Sequence, residues 1–306
     1  MPKYRADVST GQVEHSRSAD CRPVEASSTV VKPNAEALSP AGNNVLTGPA
    51  LTAYNLRGRS DSVLLESHDY HKRLAHMSIA ENYQRLRAEI PEHVAILAAA
   101  KTRAPEEIEE AVEAGITDIG ENYVQEAERM HGALAAKAAT VRWHMIGNLQ
   151  ANKINKALKI FDVIQTVDST EKAEAIDKRI EKAGREVIPV LIEVNIGSEI
   201  TKAGVAPDYE TIKGLTERIS ELGHLRLEGI MTMGPLYGDP ELTRPYFRNT
   251  REIFDKISGL NLPGVEMKIL SMGMTNSYRV AVQEGSNMIR IGTALFGERN
   301  NRSRMR

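Results

Sequence analysis

From Ser78 onward, apolar and polar residues alternate in two distinct rhythms. Short runs rich in Val and Ile recur eight times: VAILAAAK, TDIGEN, VRWHMIGN, FDVIQTVDS, VIPVLIEVNI, LEGIMTMG, MKILSMGM and NMIRIGT. Runs of this length and composition predict buried strands. The segments between them repeat their apolar residues at helical spacing and carry end signals. Ser78 and Glu81 have the spacing of a capping box, followed by Ile79, Tyr83, Leu86 and Ile90 on one stripe up to Pro91. Pro105 suits a first helical turn, with Ile108, Ala111 and Val112 as its inner face and Gly115 as a left-handed stop. Ser169 caps a helix whose inner face is Ala173, Ile176 and Ile180, ending at Gly184.

Eight strand-then-helix units over about 220 residues predict an α/β fold, a (β/α)8 barrel of the TIM type. An open doubly wound sheet is the alternative. Closure is favoured because VLIEVNI is apolar on both faces and no early glycine loop has the form of a dinucleotide fingerprint. The barrel is expected over residues 77–299, with 300–306 as a tail. Residues 1–76 have no Phe or Trp and no sustained apolar periodicity, so they read as a low-order, disordered extension. Two other readings stay open: a targeting peptide, against which Asp7, Glu14 and Asp20 count, and a biological start at Met77.

Composition narrows the functional classes. The 306 residues carry 39 basic and 41 acidic side chains, so no strong field draws the chain to nucleic acid or to an anionic membrane. No apolar run approaches the roughly 20 residues that span a bilayer. Cys21 is the one cysteine, which excludes an intrachain disulfide and a cysteine metal cluster and fits a cytoplasmic location.

In such a barrel the chemistry lies at the C-terminal strand ends. Those ends are Lys101, Glu121 with Asn122, His144 with Asn148, Asp168, Asn195, Thr232, Ser271, and Arg290 to Thr293. A lysine there snorkels into solvent in its ordinary role. The sharper reading is a Schiff-base lysine, because a carbonyl cofactor needs a neutral amine and partial desolvation favours that form. The last two strand ends, LSMGMTNSY and IRIGTALFG, have the Gly, Ser and Thr content of a phosphate cradle, although those residues also make ordinary turns. Ser271 and Thr293 offer hydroxyls, and Gly273 and Gly292 allow close backbone approach. In a closed barrel the first and eighth strands are neighbours.

These motifs resemble the pyridoxal 5'-phosphate (PLP) homeostasis protein family, whose members look like the barrel of alanine racemase standing alone. The resemblance is carried by AAAKTR around Lys101, GITDIGENYVQEA, WHMIGNLQANK, VLIEVNIGSEITKAGV, EGIMTMGP and LSMGMTNSYRVAVQEGSNMIRIGTALFG, in order over residues 77–299. It implies a fold-type III PLP barrel in which Lys101 forms the internal aldimine and Asn122 lies beside the ring. It further implies that Ser271, Gly273, Gly292 and Thr293 hold the phosphate, that Arg290 faces the pyridine nitrogen, and that His144 and Met231 match family positions near the cofactor. A guanidinium at the pyridine nitrogen disfavours its protonation, so the ring is a weak electron sink.

After GTALFG only ERNNRSRMR remains, without the second domain that brings a racemase its opposite-face tyrosine. Thr275 and Ser277 also depart from the Ser and Asp of many relatives. The resemblance therefore implies a PLP-binding protein that serves PLP homeostasis or delivery without robust turnover, possessing no catalytic residue and no metal site. Its implied partners are PLP and PLP-dependent apoenzymes, and it is expected as a monomer or weak dimer. The alternatives are a narrow-specificity PLP-dependent amino-acid racemase using Tyr123, Tyr278 or His144, and a phosphate-binding barrel in which Lys101 is only an electrostatic anchor.

Overall fold

Eight parallel strands pair in chain order, and the eighth returns to the first to close the barrel. This computed structural model describes residues 77–196, 203–233 and 238–298; the readings for residues 1–76 and 300–306 lie outside them. The order is α1 (Ile79–Glu89), β1 (Ala95–Ala99), α2 (Pro105–Ala114), β2 (Asp118–Glu121), α3 (Val124–Leu134), β3 (Arg142–Met145), α4 (Ile154–Ala157) and β4 (Val163–Val167). It continues with α5 (Thr170–Ala183), β5 (Ile188–Val194), α6 (Tyr209–Ser220), β6 (Leu225–Thr232), α7 (Arg244–Ser258), β7 (Val265–Met274), α8 (Tyr278–Gln283), β8 (Met288–Ile291) and α9 (Thr293–Phe296). All eight apolar runs form strands. The barrel is closed, as the two-faced apolar strands require, and the open-sheet alternative falls.

The local signals act as their chemistry dictates. Ser78 and Glu81 form a reciprocal capping box on α1. Pro105 occupies the first turn of α2, and Gly115 ends that helix in the left-handed region at φ 116°. Ser169 accepts from the Lys172 amide to cap α5, which Gly184 terminates. The helix α1 spans the seam where the barrel closes. Its Tyr83 hydroxyl donates to the Gly115 carbonyl, and Arg85 donates to that of Ala294.

Alternation along the strands divides the core in two. Outward residues such as Ile119, Trp143, Ile164 and Ile192 pack under the helices in one continuous layer. Full burial of each such side chain stabilises the fold by roughly 2–3 kcal/mol. Inward residues make two small apolar clusters, Leu97 with Ile146 and Met288, and Val163 with Leu191 and Met231, both touched by Ile269. Other inward positions are small, as at Ala95, Ala99 and Gly120, or polar, as at Asp118, His144 and Gln165.

Two features of the sheet have energetic consequences. Between Val190 and Leu191 the β5–β6 register shifts, leaving Glu228 as the extra residue of β6. Here β6 and β7 come so close that a Cβ on Gly229 would lie 1.8 Å from the Ile269 carbonyl oxygen. On β2, Glu121 shares the outward face with Ile119, is 1% exposed, and has no hydrogen-bond partner for Oε2 among the described residues. Burial, reinforced by the nearby Glu126 carboxylate, pushes the Glu121 carboxyl up to about 8.

Gly229→Ala is expected to cost roughly 3 kcal/mol or more through displacement of the β6–β7 ladder. Gly132→Ala lies inside α3 with open space around the added methyl and should gain about 0.5–1 kcal/mol. Urea unfolding of both variants distinguishes the signs. Glu121 supplies a pH signature: its folded value, about 8, exceeds its ordinary 4.5, so its contribution is complete below pH 4.5 and declines as pH rises towards 8. Glu121→Gln should match the parent near pH 5 and exceed it at pH 8.5 by on the order of 2–3 kcal/mol; parallel decline of the two proteins across that range would contradict the assignment.

Candidate functional site

Lys101 follows β1 in a turn closed by the Arg103 amide on the Ala100 carbonyl, at 2.9 Å. The next residue, Thr102, has φ 63°. A β-branched residue in this left-handed region costs about 1–2 kcal/mol and persists only where its surroundings enforce it. The enforcement is visible on both sides. The Thr102 amide donates to Glu126 Oε2 at 3.3 Å. The Arg103 guanidinium donates to the carbonyls of Gly297 (2.7 Å) and Phe296 (3.3 Å) and lies over the Phe296 ring. Lys101 is thereby fixed at the barrel mouth, half-buried, its Nζ 5.6 Å from the centre of the Tyr123 ring. The β1–β8 register, Leu97 opposite Arg290 and Ala98 opposite Ile291, brings the lysine strand beside the last strand.

Below the mouth, a continuous hydrogen-bonded chain crosses the barrel interior. Arg290 Nη1 donates to the Ser271 hydroxyl at 2.8 Å and also to the Ser271 carbonyl, and Nη2 donates to the Thr232 carbonyl at 2.7 Å. The Ser271 hydroxyl donates to Gln165 Oε1 at 2.8 Å. Gln165 Nε2 lies 2.9 Å from His144 Nδ1, and His144 Nε2 lies 2.9 Å from Asp118 Oδ1.

A guanidinium only donates and a carboxylate only accepts, and between them the Gln165 amide presents its oxygen to Ser271 and its nitrogen to the imidazole. Gln165 therefore donates to His144 Nδ1, and His144 is the neutral tautomer with its proton on Nε2. Burial depresses the His144 pKa, against the pull of Asp118. The balance at Asp118 runs the other way: burial opposes ionisation, but the His144 bond and nearby charges hold its carboxyl below the ordinary range. Burial also lowers Arg290 to about 10, opposed by Glu193. Arg290 Nε makes no hydrogen bond among the described residues.

The anion candidates lie on the adjoining ends of β7 and β8. Gly273 has φ 94°, and a Cβ there would strike Ala281 at 2.6 Å, so α8 packs directly onto the loop. Gly292 is different: an added Cβ would find nothing closer than Ala99 at 3.9 Å. Space is thus open between the ends of β1 and β8, with Thr293 exposed beside it. Thr275 and Ser277, the two departures in this loop, pin it internally: Thr275 Oγ1 accepts from the Ala294 amide and Ser277 Oγ from that of Met274.

The expectation that Ser271 offers its hydroxyl to an anion meets another arrangement. Its side chain is fully buried, and its hydroxyl is committed to Arg290 and Gln165. Met231 packs against Val163 and Leu191 in the barrel floor. Asn122 lies at the mouth; Gly147 presses so closely on its backbone that a Cβ there would be 2.3 Å from the Asn122 oxygen.

Other strand-end residues belong elsewhere. Asn148 and Asp168 meet at Lys172, whose Nζ is 3.1 Å and 2.8 Å from them. Thr232 Oγ1 donates to the Val194 carbonyl, and the Asn195 amide to that of Val205. Tyr278 donates to Glu89 of α1 at 3.0 Å, and burial with this contact pushes its pKa up to about 12. His144 is sealed in the interior chain, while Tyr123 stands beside Lys101. None of the three proposed acid–base groups faces Lys101 across the mouth.

Sequence reasoning passed over three inward residues: Asp118, Gln165 and Glu193. Gln165 carried the clearest signal, an amide within the apolar run FDVIQTVDS. Glu193 is 3% exposed, and its Oε2 has no hydrogen-bond partner among the described residues. Burial, aided by Asp168, pushes its carboxyl up to about 7 while Lys172 and Arg290 pull the other way.

The family profile described as alanine racemase, N-terminal domain, matches residues 76–300. The pyridoxal phosphate homeostasis protein of Aquifex aeolicus is 42% identical over 204 residues, covering 67% of this chain and 86% of the relative. The solved structure of PipY from Synechococcus elongatus with PLP bound superposes with a TM-score of 0.65 at 32% identity, covering 72% of this chain and 100% of that one. An alanine racemase from Clostridium difficile, 18% identical with a TM-score of 0.60 over 73% of this chain and 57% of its own, shares the fold. On the family match, the relatives and the ordered motifs, the chain belongs to the pyridoxal phosphate homeostasis protein family, with a barrel of the alanine racemase N-terminal type.

Proposed function

We propose that this protein binds PLP at the barrel mouth through a reversible covalent bond to Lys101 and serves as a holder and donor of the cofactor. The observation that carries this reading is the enforced turn that holds the Lys101 amine at the mouth, on the strand next to the one that ends at the open space over Gly292. Three features fit the cofactor. Lys101 supplies an amine for its aldehyde, with water as the leaving molecule. Arg290 retains an unspent Nε–H for an unprotonated ring nitrogen. Gly273, Gly292 and Thr293 leave backbone and hydroxyl donors for a phosphate, while Asn122 is held at the mouth beside the ring.

The chemistry the cofactor supplies when bound is an electrophilic aldehyde on an electron-withdrawing ring. The protein's own residues restrain that chemistry. Arg290 keeps a proton off the ring nitrogen and so weakens carbanion stabilisation. Ser271 positions Arg290, and Gln165, His144 and Met231 form the support underneath. Proton exchange at a substrate carbon needs groups on both faces, and Tyr123, Tyr278 and His144 are placed for other work. PLP-dependent apoenzymes are the recipients this reading implies.

Purified protein incubated with PLP should develop a visible absorbance band, and borohydride should fix the cofactor to the peptide containing Lys101. Lys101→Ala should lose the adduct; an unmodified Lys101 in the parent, by peptide mapping, would overturn the proposal. Gly292→Val fills the open space next to Ala99 without entering the packed core. It should fold with parental stability and retain PLP at least 10-fold more weakly, as read by equilibrium dialysis.

A further inference from the structure

At the opposite, N-terminal end of the barrel lies a cavity of about 940 Å³ between the turn entering β4 and the last turns of α5. Its lining includes Lys159, Lys178, Arg179, Lys182 and Arg185, against one carboxylate, Asp162. Asp162 is already engaged: its Oδ2 accepts from the Trp143 amide at 2.8 Å. None of the five cations forms an ion pair among the described residues.

The charge on α5 is sorted by face. Glu174 pairs with Arg218 of α6, and Asp177 with His224, so these acids turn towards the following unit. Lys178, Arg179 and Lys182 turn towards α4. Cations near a helix C-terminus complement its dipole, which accounts for one or two of them. It does not account for five around one concavity, where their mutual repulsion destabilises the fold.

Both arginines are held by backbone. Arg179 donates to the Ala175 carbonyl at 2.8 Å, and Arg185 donates to the Leu158 carbonyl across the cavity wall. Each guanidinium has five donors, so most of each fork remains for a ligand, with part of its ordering already complete.

We propose that this groove is a second binding site, for a small polyphosphate anion. The volume lies within the range of small-molecule pockets, roughly 300–1,000 Å³, which favours a compact ligand over a protein surface. Five cations around one concavity exceed the charge of a single phosphate. A di- or triphosphate chain comes closer to balancing that charge, and Arg and Lys together suit its oxygens as forked and point-charge donors. The chain could belong to inorganic polyphosphate or to a nucleotide. The site is independent of how the mouth is used.

The test is calorimetric titration of the PLP-loaded full chain with inorganic tripolyphosphate and, separately, ATP, at 50 and 150 mM salt. Binding should be measurable at 50 mM and weaken at 150 mM. The double variant Lys178→Glu, Lys182→Glu should bind tripolyphosphate at least 10-fold more weakly while retaining its PLP absorbance, whereas Lys101→Ala should bind it as the parent does. Equal affinities for the two probes assign the site to the phosphate chain alone; tighter ATP binding assigns it to a nucleotide. Equal tripolyphosphate affinity in parent and double variant overturns the proposal, as does binding of a poly-glutamate peptide with no response to tripolyphosphate.

Discussion

A guanidinium survives inside a barrel only where its donors and its charge are answered by groups fixed by other strands. Arg290 imposes this condition on its surroundings. Its nitrogens engage Ser271 and the Thr232 carbonyl, and the donor sense runs on through Gln165 and His144 to the Asp118 carboxylate. Six strands, β2, β3, β4, β6, β7 and β8, are tied by one set of bonds. Such networks gain strength from low dielectric surroundings and lose heavily when one partner is removed. The mouth rests on this floor, so the orientation of Arg290 and the neutral state of His144 are structural consequences of the same chain.

The barrel also sorts its polar groups by position. Donors and open space gather around Lys101, Asn122, Gly292 and Thr293, whereas the groups suited to proton transfer are committed elsewhere. Tyr278 is bonded to α1, His144 is enclosed, and Tyr123 stands on the lysine side. Glu193 remains an inward carboxyl whose Oε2 has no partner among the described residues, pushed up to about 7 by burial and opposite in charge to Arg290 when ionised. Its place in the interior gives the floor a second charge that the hydrogen-bonded chain does not include.

Much of this was legible along the chain because it is local. The apolar runs end where strands end, and Ser78, Pro105, Gly115, Ser169 and Gly184 act within a few residues of themselves. The position of Lys101 follows from the first strand and its turn. The partnership of residues 118, 144, 165, 271 and 290 is not local, and it depends on register between paired strands and on one reach across the barrel from β4 to β7. Ser271 shows the difference most clearly: its buried hydroxyl bonds Arg290 of β8 and Gln165 of β4, partners that its place in the run MKILSMGM does not indicate. Likewise, the extra residue at Glu228 shifts β6 against β5, and extra residues of β7 between Val265 and Ile269 shift that strand against β6, which no periodicity announces.

The clamp from Arg103 to the carbonyls of Phe296 and Gly297 gives the lysine turn a particular history. During synthesis Lys101 leaves the ribosome long before the residues that hold its turn in place, and the pairing of β1 with β8 waits equally long. Chains of this size form their domains as units as synthesis proceeds, yet here the amine acquires its final setting only after nearly the whole barrel has emerged. A nascent chain therefore carries Lys101 without its clamp, and the final geometry of the turn is withheld until the fold is closed.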